Sequence, residues 1–125
     1  MTLRTRWLAL LAGFFLLMVG LGSIPGEANA LSDRYGDKLL HTLAYGFMAG
    51  LCFRALVATP LLRALLTVVA IALLGMIDEA IQSLLPYRNA SLADWCFDIG
   101  SAAIVAALLL LLDRLTTPTE SHAKN

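Results

Sequence analysis

The stretch L-G-M-I-D-E-A-I-Q-S-L-L-P-Y-R, Leu74 to Arg88, decides the fold. An apolar run from Leu61 to Ile77 meets Asp78 and Glu79 before the chain turns at Pro86. The run has the character of a membrane-spanning helix, yet it carries two adjacent carboxylates. An Asp at mid-bilayer costs ~2.5–3.5 kcal/mol on insertion scales, so such groups face other polar groups rather than lipid. The question for the rest of the chain is which residues meet them.

Outward from this stretch the chain is strongly apolar. Of 125 residues, 59% are hydrophobic and 14% charged, against ~45–50% apolar in soluble domains. A mean hydropathy of +0.78 points to a membrane. Formal net charge is zero and no basic stripe exists, which argues against nucleic acid as a partner. Four apolar segments stand out, Trp7–Ile24, Leu39–Val57, Leu61–Leu85 and Leu92–Leu112. Each is near the ~17–25 residues that cross a bilayer as a helix. The expectation is an all-α integral membrane bundle of four transmembrane helices, about 7–24, 37–58, 61–85 and 91–113. They form one domain over residues 1–115, and 116–125 reads as a disordered cytoplasmic tail. The first segment has a rival reading. Arg4, Arg6, an apolar run and Ala28-Asn29-Ala30 resemble a cleavable secretory signal, but the run exceeds the usual ~7–15 residues, which favours a retained helix.

Lys and Arg set the orientation. Arg4, Arg6, Arg54, Arg63, Arg114 and Lys124 fall on one side, and Arg34, Lys38 and Arg88 on the other, six against three. Both termini are therefore expected in the cytoplasm, in a multi-pass protein of the cytoplasmic (inner) membrane. Trp7, Tyr35, Tyr87 and Trp95 fall where an aromatic belt belongs. Gly46 and Gly50 form a G-x-x-x-G, read as a close-packing element. Cys52 and Cys96 lie in different segments and toward opposite sides, so both are expected to be free.

The polar residues recur at helical spacing. Asp37, His41 and Tyr45 are four apart, as are Asp78 and Gln82, and Asp94 and Asp98, so each set shares a helix face. All three sets lie in the outer halves of their helices. At ~1.5 Å per residue, Asp78 and His41 sit roughly 7–10 Å outward from mid-segment, and Tyr45 and Asp98 roughly 5 Å. Simpler roles exist for several of them. Asp37 suits a helix N-terminus, Ser91 and Asp94 resemble a capping box, and Arg88 could be an interfacial anchor. Asp78 and Glu79 resist such explanation, because they lie near a helix C-terminus where the dipole disfavours anions. They call for Lys38, His41 or Arg88 as partners, although polar glue between helices remains the competing role.

In order, D-K-x-x-H-x-x-x-Y at Asp37 to Tyr45, D-E-x-x-Q at Asp78 to Gln82, P-x-R at Pro86 to Arg88 and S-x-x-D at Ser91 to Asp94 resemble the VanZ-like family. The resemblance runs from Asp37 to about Gly100 and departs at Asp98, where it implies Asn. It implies a four-helix membrane protein of the cell envelope, linked through the family's name to tolerance of the glycopeptide teicoplanin, and so to antibiotic resistance. It names no reaction.

Three functions compete. In an envelope-lipid or cell-wall enzyme, His41 would be the general base with Asp78 or Glu79 as its orienting partner. Lys38 and Arg88 would clamp phosphate or carboxylate. Asp37, Tyr45, Gln82, Ser91, Asp94 and Asp98 would complete the substrate site. In an accessory protein the same groove would bind a membrane lipid or lipid-linked precursor without chemistry. A proton-coupled transporter ranks last, since the acidic groups occupy only the outer half of the bilayer. Carboxylates with His make an oxygen-rich metal site conceivable, but no standard zinc spacing is present, so no metal ligands are assigned. The cofactor is left unknown, and an oligomer is left open.

Overall fold

A computed structural model describes residues 1–26, 30 and 34–116. Among these residues the protein is all-helical, with α1 Leu3–Gly22, α2 Asp37–Ala55, α3 Pro60–Ser83 and α4 Leu92–Thr116. The bounds follow local chemistry. Thr2 caps α1, its hydroxyl accepting from the Thr5 N–H at 3.2 Å, so the helix begins ahead of Trp7. Gly36, with φ of 84°, makes the turn into α2 in a region closed to most side chains. Pro60 opens α3 at a position where its missing N–H is not needed. The chain beyond Thr116, including Lys124, lies outside the described residues, as do Ala28 and Asn29 of the A-x-A motif.

Side chains are arranged with polar groups inside and apolar groups outside. His41, Thr67, Asp78, Gln82, Asp94, Asp98 and Ser101 are buried. Leu61, Leu65, Val69, Leu73 and Met76 of α3 face outward, and α1 has no buried residue. In water this pattern would forfeit most of the hydrophobic drive, whereas in lipid an outward Leu loses nothing. The protein is therefore a membrane protein. By length and composition, α1, α3 and α4 are each able to cross a bilayer. α2 falls short of that composition because Asp37, Lys38, His41 and Arg54 dilute it.

α2 is the hub of the bundle, packing against α4, α1 and α3. Tyr45, Met48, Ala49 and Cys52 of α2 meet Ile71 of α3 and Ala102 of α4 in the apolar core. Small residues permit the close approach. A Cβ on Gly46 would lie 3.6 Å from Val105 Cγ2 on α4, while one on Gly50 would meet nothing within 4 Å. Only the first glycine of the G-x-x-x-G therefore lines a helix contact. Edge-to-face packing of Phe14 on Phe47, with centroids 4.9 Å apart, seats α1 on α2. Where α3 begins and α4 ends, Arg63 pairs with Asp113, joining the two helices, and its guanidinium lies 4.2 Å over the Phe53 ring. Both cysteines are free, Cys52 buried and Cys96 exposed.

Candidate functional site

The N-terminal ends of α2 and α4 and the C-terminal end of α3 bring most of the polar residues together. Two chains of hydrogen bonds organise them. In the first, Tyr45 Oη donates to Asp78 Oδ2 at 3.0 Å and Gln82 Nε2 donates to the same oxygen at 3.1 Å. Arg88 then donates from a terminal guanidinium nitrogen to Gln82 Oε1 at 2.9 Å. In the second, His41 Nδ1 meets Asp98 Oδ1 at 2.8 Å, with Asp98 fully buried. The chains touch where the His41 and Tyr45 rings stack, 5.7 Å apart and 4° from parallel.

Adjacent positions on a helix point about 100° apart, and Asp78 and Glu79 use that divergence. Asp78 faces α2. Glu79 faces the start of α4, where its Oε2 accepts from the Ser91 N–H at 2.6 Å. This contact alters the capping box expected of Ser91 and Asp94. Ser91 Oγ does accept from the Asp94 N–H, at a long 3.4 Å. The reciprocal acceptor for the Ser91 N–H is Glu79 from another helix, which frees the buried Asp94 carboxylate from capping. That carboxylate lies with Asp37 and His41 in a group whose donor atoms are all within 4.8 Å of one another. His41, Glu79 and Asp98 form a second such group.

Several expected partnerships are replaced. His41 pairs with Asp98 on α4, not with Asp78 or Glu79. Among the described residues Asp78 meets two neutral donors, Tyr45 and Gln82, and no cation. Lys38 is exposed, its ammonium 5.9 Å over the Phe97 ring, and makes no hydrogen bond into the cluster. Arg88 is half-buried and reaches the network through Gln82, which makes it more than an interfacial anchor. Asp37 sits in the first turn of α2 without a side-chain capping bond. Trp95 is also drawn in from its belt position. Its indole N–H donates to the Ala72 carbonyl on α3 at 2.9 Å. Tyr87 donates to the Ser23 carbonyl, tying the α3–α4 loop to the end of α1.

Gly75 was not singled out by sequence, and it makes the arrangement possible. A Cβ there would lie 2.8 Å from Asp98 Oδ2 and 3.1 Å from Trp95 Cδ1. The absence of a side chain on α3 is what admits the Asp98 carboxylate between the helices. A lone glycine inside an apolar run, four residues before Glu79, was the available signal.

A cavity of about 190 Å³ opens beside the network. Asp37, His41, Asp78, Gln82 and Arg88 provide its polar floor. Met18 and Leu21 of α1, with Leu40 and Ala44 of α2, provide its apolar wall. Such a compartment suits an amphipathic guest whose polar end reaches the floor. No family model, curated protein or solved structure matches the chain.

Proposed function

We propose that this chain is a VanZ-like, multi-pass protein of the cytoplasmic membrane that binds a cell-envelope lipid or lipid-linked wall precursor at its outer leaflet. The observation that carries the reading is the cavity, in which a charged floor adjoins an apolar wall at one end of a membrane bundle. Arg88 supplies a guanidinium suited to phosphate or carboxylate, and Met18 and Leu21 suit an acyl or prenyl chain. The four motifs from Asp37 to Asp94 support the family, and the six-to-three Lys/Arg asymmetry supports termini in the cytoplasm. α2 is the fourth span, its polar face met by carboxylates on α3 and α4.

Any chemistry would fall to His41. An imidazole whose Nδ1 is held by a carboxylate presents Nε2 in a fixed orientation, which is how a general base is positioned. Asp98, not Asp78 or Glu79, is then the positioning residue. The non-catalytic alternative draws support from Ser91, whose N–H and hydroxyl are both engaged within the fold. Teicoplanin tolerance would follow from either mode, because each acts on the precursor pool.

Native mass spectrometry of the purified protein tests the reading. The expected outcome is a co-purifying anionic lipid or precursor that Arg88→Gln loses while the fold persists. Equal lipid retention by Arg88→Gln and wild type overturns it.

A further inference from the structure

We infer that His41, Glu79 and Asp98 bind a divalent first-row metal ion of the Mn²⁺ or Zn²⁺ class. The inference does not depend on the lipid reading. The three residues come from three helices and place one donor atom each within 4.8 Å of the others. His41 Nδ1 and Asp98 Oδ1 are 2.8 Å apart and share a hydrogen bond, whose proton is released when the ion takes both atoms as donors. Two donors each ~2.1 Å from one ion, at a right angle, lie ~3.0 Å apart, and opposite donors ~4.2 Å. Glu79, the third donor, lies within 4.8 Å of both.

The unsatisfied oxygens are the independent observation. Asp98 Oδ2 and Glu79 Oε1 are both buried without a hydrogen-bond partner. Asp98 is fully buried, and its orphan oxygen lies over Gly75. Gly75 and Glu79 are four apart and share a face of α3, so the opening at Gly75 aims the orphan oxygen at the face that carries Glu79. A buried carboxylate oxygen without a partner is costly, and each orphan belongs to the triad. A metal ion satisfies both.

Charge agrees. Two carboxylates and one neutral imidazole offer two negative charges to a doubly charged ion in a low-dielectric setting. Among the described residues no lysine or arginine pairs with them, since Lys38 lies over Phe97 and Arg88 bonds to Gln82. Mixed imidazole and carboxylate donors suit Mn²⁺ or Zn²⁺ better than Ca²⁺, which takes oxygen alone.

The test uses the full chain in detergent, stripped with chelator and titrated with Mn²⁺, free Mn²⁺ being counted by its paramagnetic resonance signal. Zn²⁺ is tested by elemental analysis after dialysis. The expected result is saturable binding of one ion per chain and a rise in Tm. Glu79→Gln and Asp98→Asn should each lose at least about tenfold in affinity, as removal of a metal-supporting group does. Asp113→Asn removes a carboxylate fifteen positions along α4 from Asp98, ~22 Å by helix rise, and should bind as wild type. Should one substitution abolish folding, the other and the wild-type Tm shift decide. Absence of saturable binding, wild-type affinity in either triad variant that folds, or equal loss in Asp113→Asn overturns the assignment.

Discussion

The pairing of His41 with Asp98 can be measured by a double-mutant cycle. The pair is 2.8 Å apart and Asp98 is fully buried. Two magnitudes compete. A neutral hydrogen bond between membrane helices averages ~0.6 kcal/mol and reaches ~1.7. Removing one partner of a buried charged pair costs ~3–5 kcal/mol, because the other charge is stranded. Asp98 is a fully buried carboxylate, so loss of its His41 partner strands that charge and belongs to the second case. His41→Ala should therefore destabilise by ~3 kcal/mol or more. Adding Asp98→Asn to it should recover much of the loss, with a coupling above ~2 kcal/mol. The assay is reversible unfolding in mixed micelles, with chelator present so that metal does not contribute. A parallel cycle with Asp78→Asn should show the smaller coupling, since Asp78 bonds to Tyr45 and Gln82 instead. Coupling of ~0.6 kcal/mol or less in the Asp98 cycle, or a larger value in the Asp78 cycle, refutes the dependence of the buried Asp98 charge on His41.

Tyr45→Phe removes one of the two donors to Asp78 and should cost ~1–2 kcal/mol in the same unfolding assay, because a buried acceptor loses a bond it cannot replace from lipid. No measurable change would mean that the Tyr45 hydroxyl contributes nothing to the network. Gly75→Ala gains ~0.8–1 kcal/mol of helix propensity but forces a methyl to 2.8 Å from Asp98 Oδ2. Overpacking of this kind costs ~1–3 kcal/mol, so net destabilisation is expected, whereas Gly100→Ala, with nothing within 4 Å, should be neutral or stabilising. Equal effects of the two would refute the close approach. For topology, Asn89→Cys in a background lacking Cys52 and Cys96 should react with an impermeant thiol reagent in intact cells, and Thr59→Cys should not. The reverse labelling would invert the proposed orientation.

Much of the fold was readable because a bilayer sets a length scale. The apolar segments gave the helices, and Pro86 marked the turn that follows α3, whereas the part of Gly36 in starting α2 emerged only from its backbone angles. Period-four polar positions named the residues of the cluster, but not their pairings. A helix face is legible from spacing alone, whereas its rotation against a neighbour depends on which small residue allows approach. Gly75 sets that rotation here and delivers Asp98, one turn deeper than Asp94, to His41. Lys38 could not be excluded by spacing, because a long side chain at a helix start reaches either the cluster or Phe97. The Arg63–Asp113 pair shows a signal left unused. Arg63 lies near the start of α3 and Asp113 near the end of α4, at the same end of the bundle, and matching opposite charges by depth would have joined them.

The polar cluster and the bundle depend on each other through α2. It is the helix whose composition falls short of a membrane span, and it is also the helix that packs most extensively against the others. Its polar side carries His41 and Tyr45, which meet Asp98 and Asp78. With those contacts, the polar face is spent inside the protein and the outward face presents Leu39, Leu43 and Phe47. Without them, the same side chains would meet lipid unpaired, at a cost of several kcal/mol per group. Substitutions that abolish function at His41 or Asp98 will therefore also weaken the seating of α2. Loss of phenotype alone cannot assign either residue to a reaction. Function has to be read from ligand or metal occupancy in variants whose α2 remains packed, which is why the conservative Asp98→Asn and Glu79→Gln carry more information than alanine at the same positions.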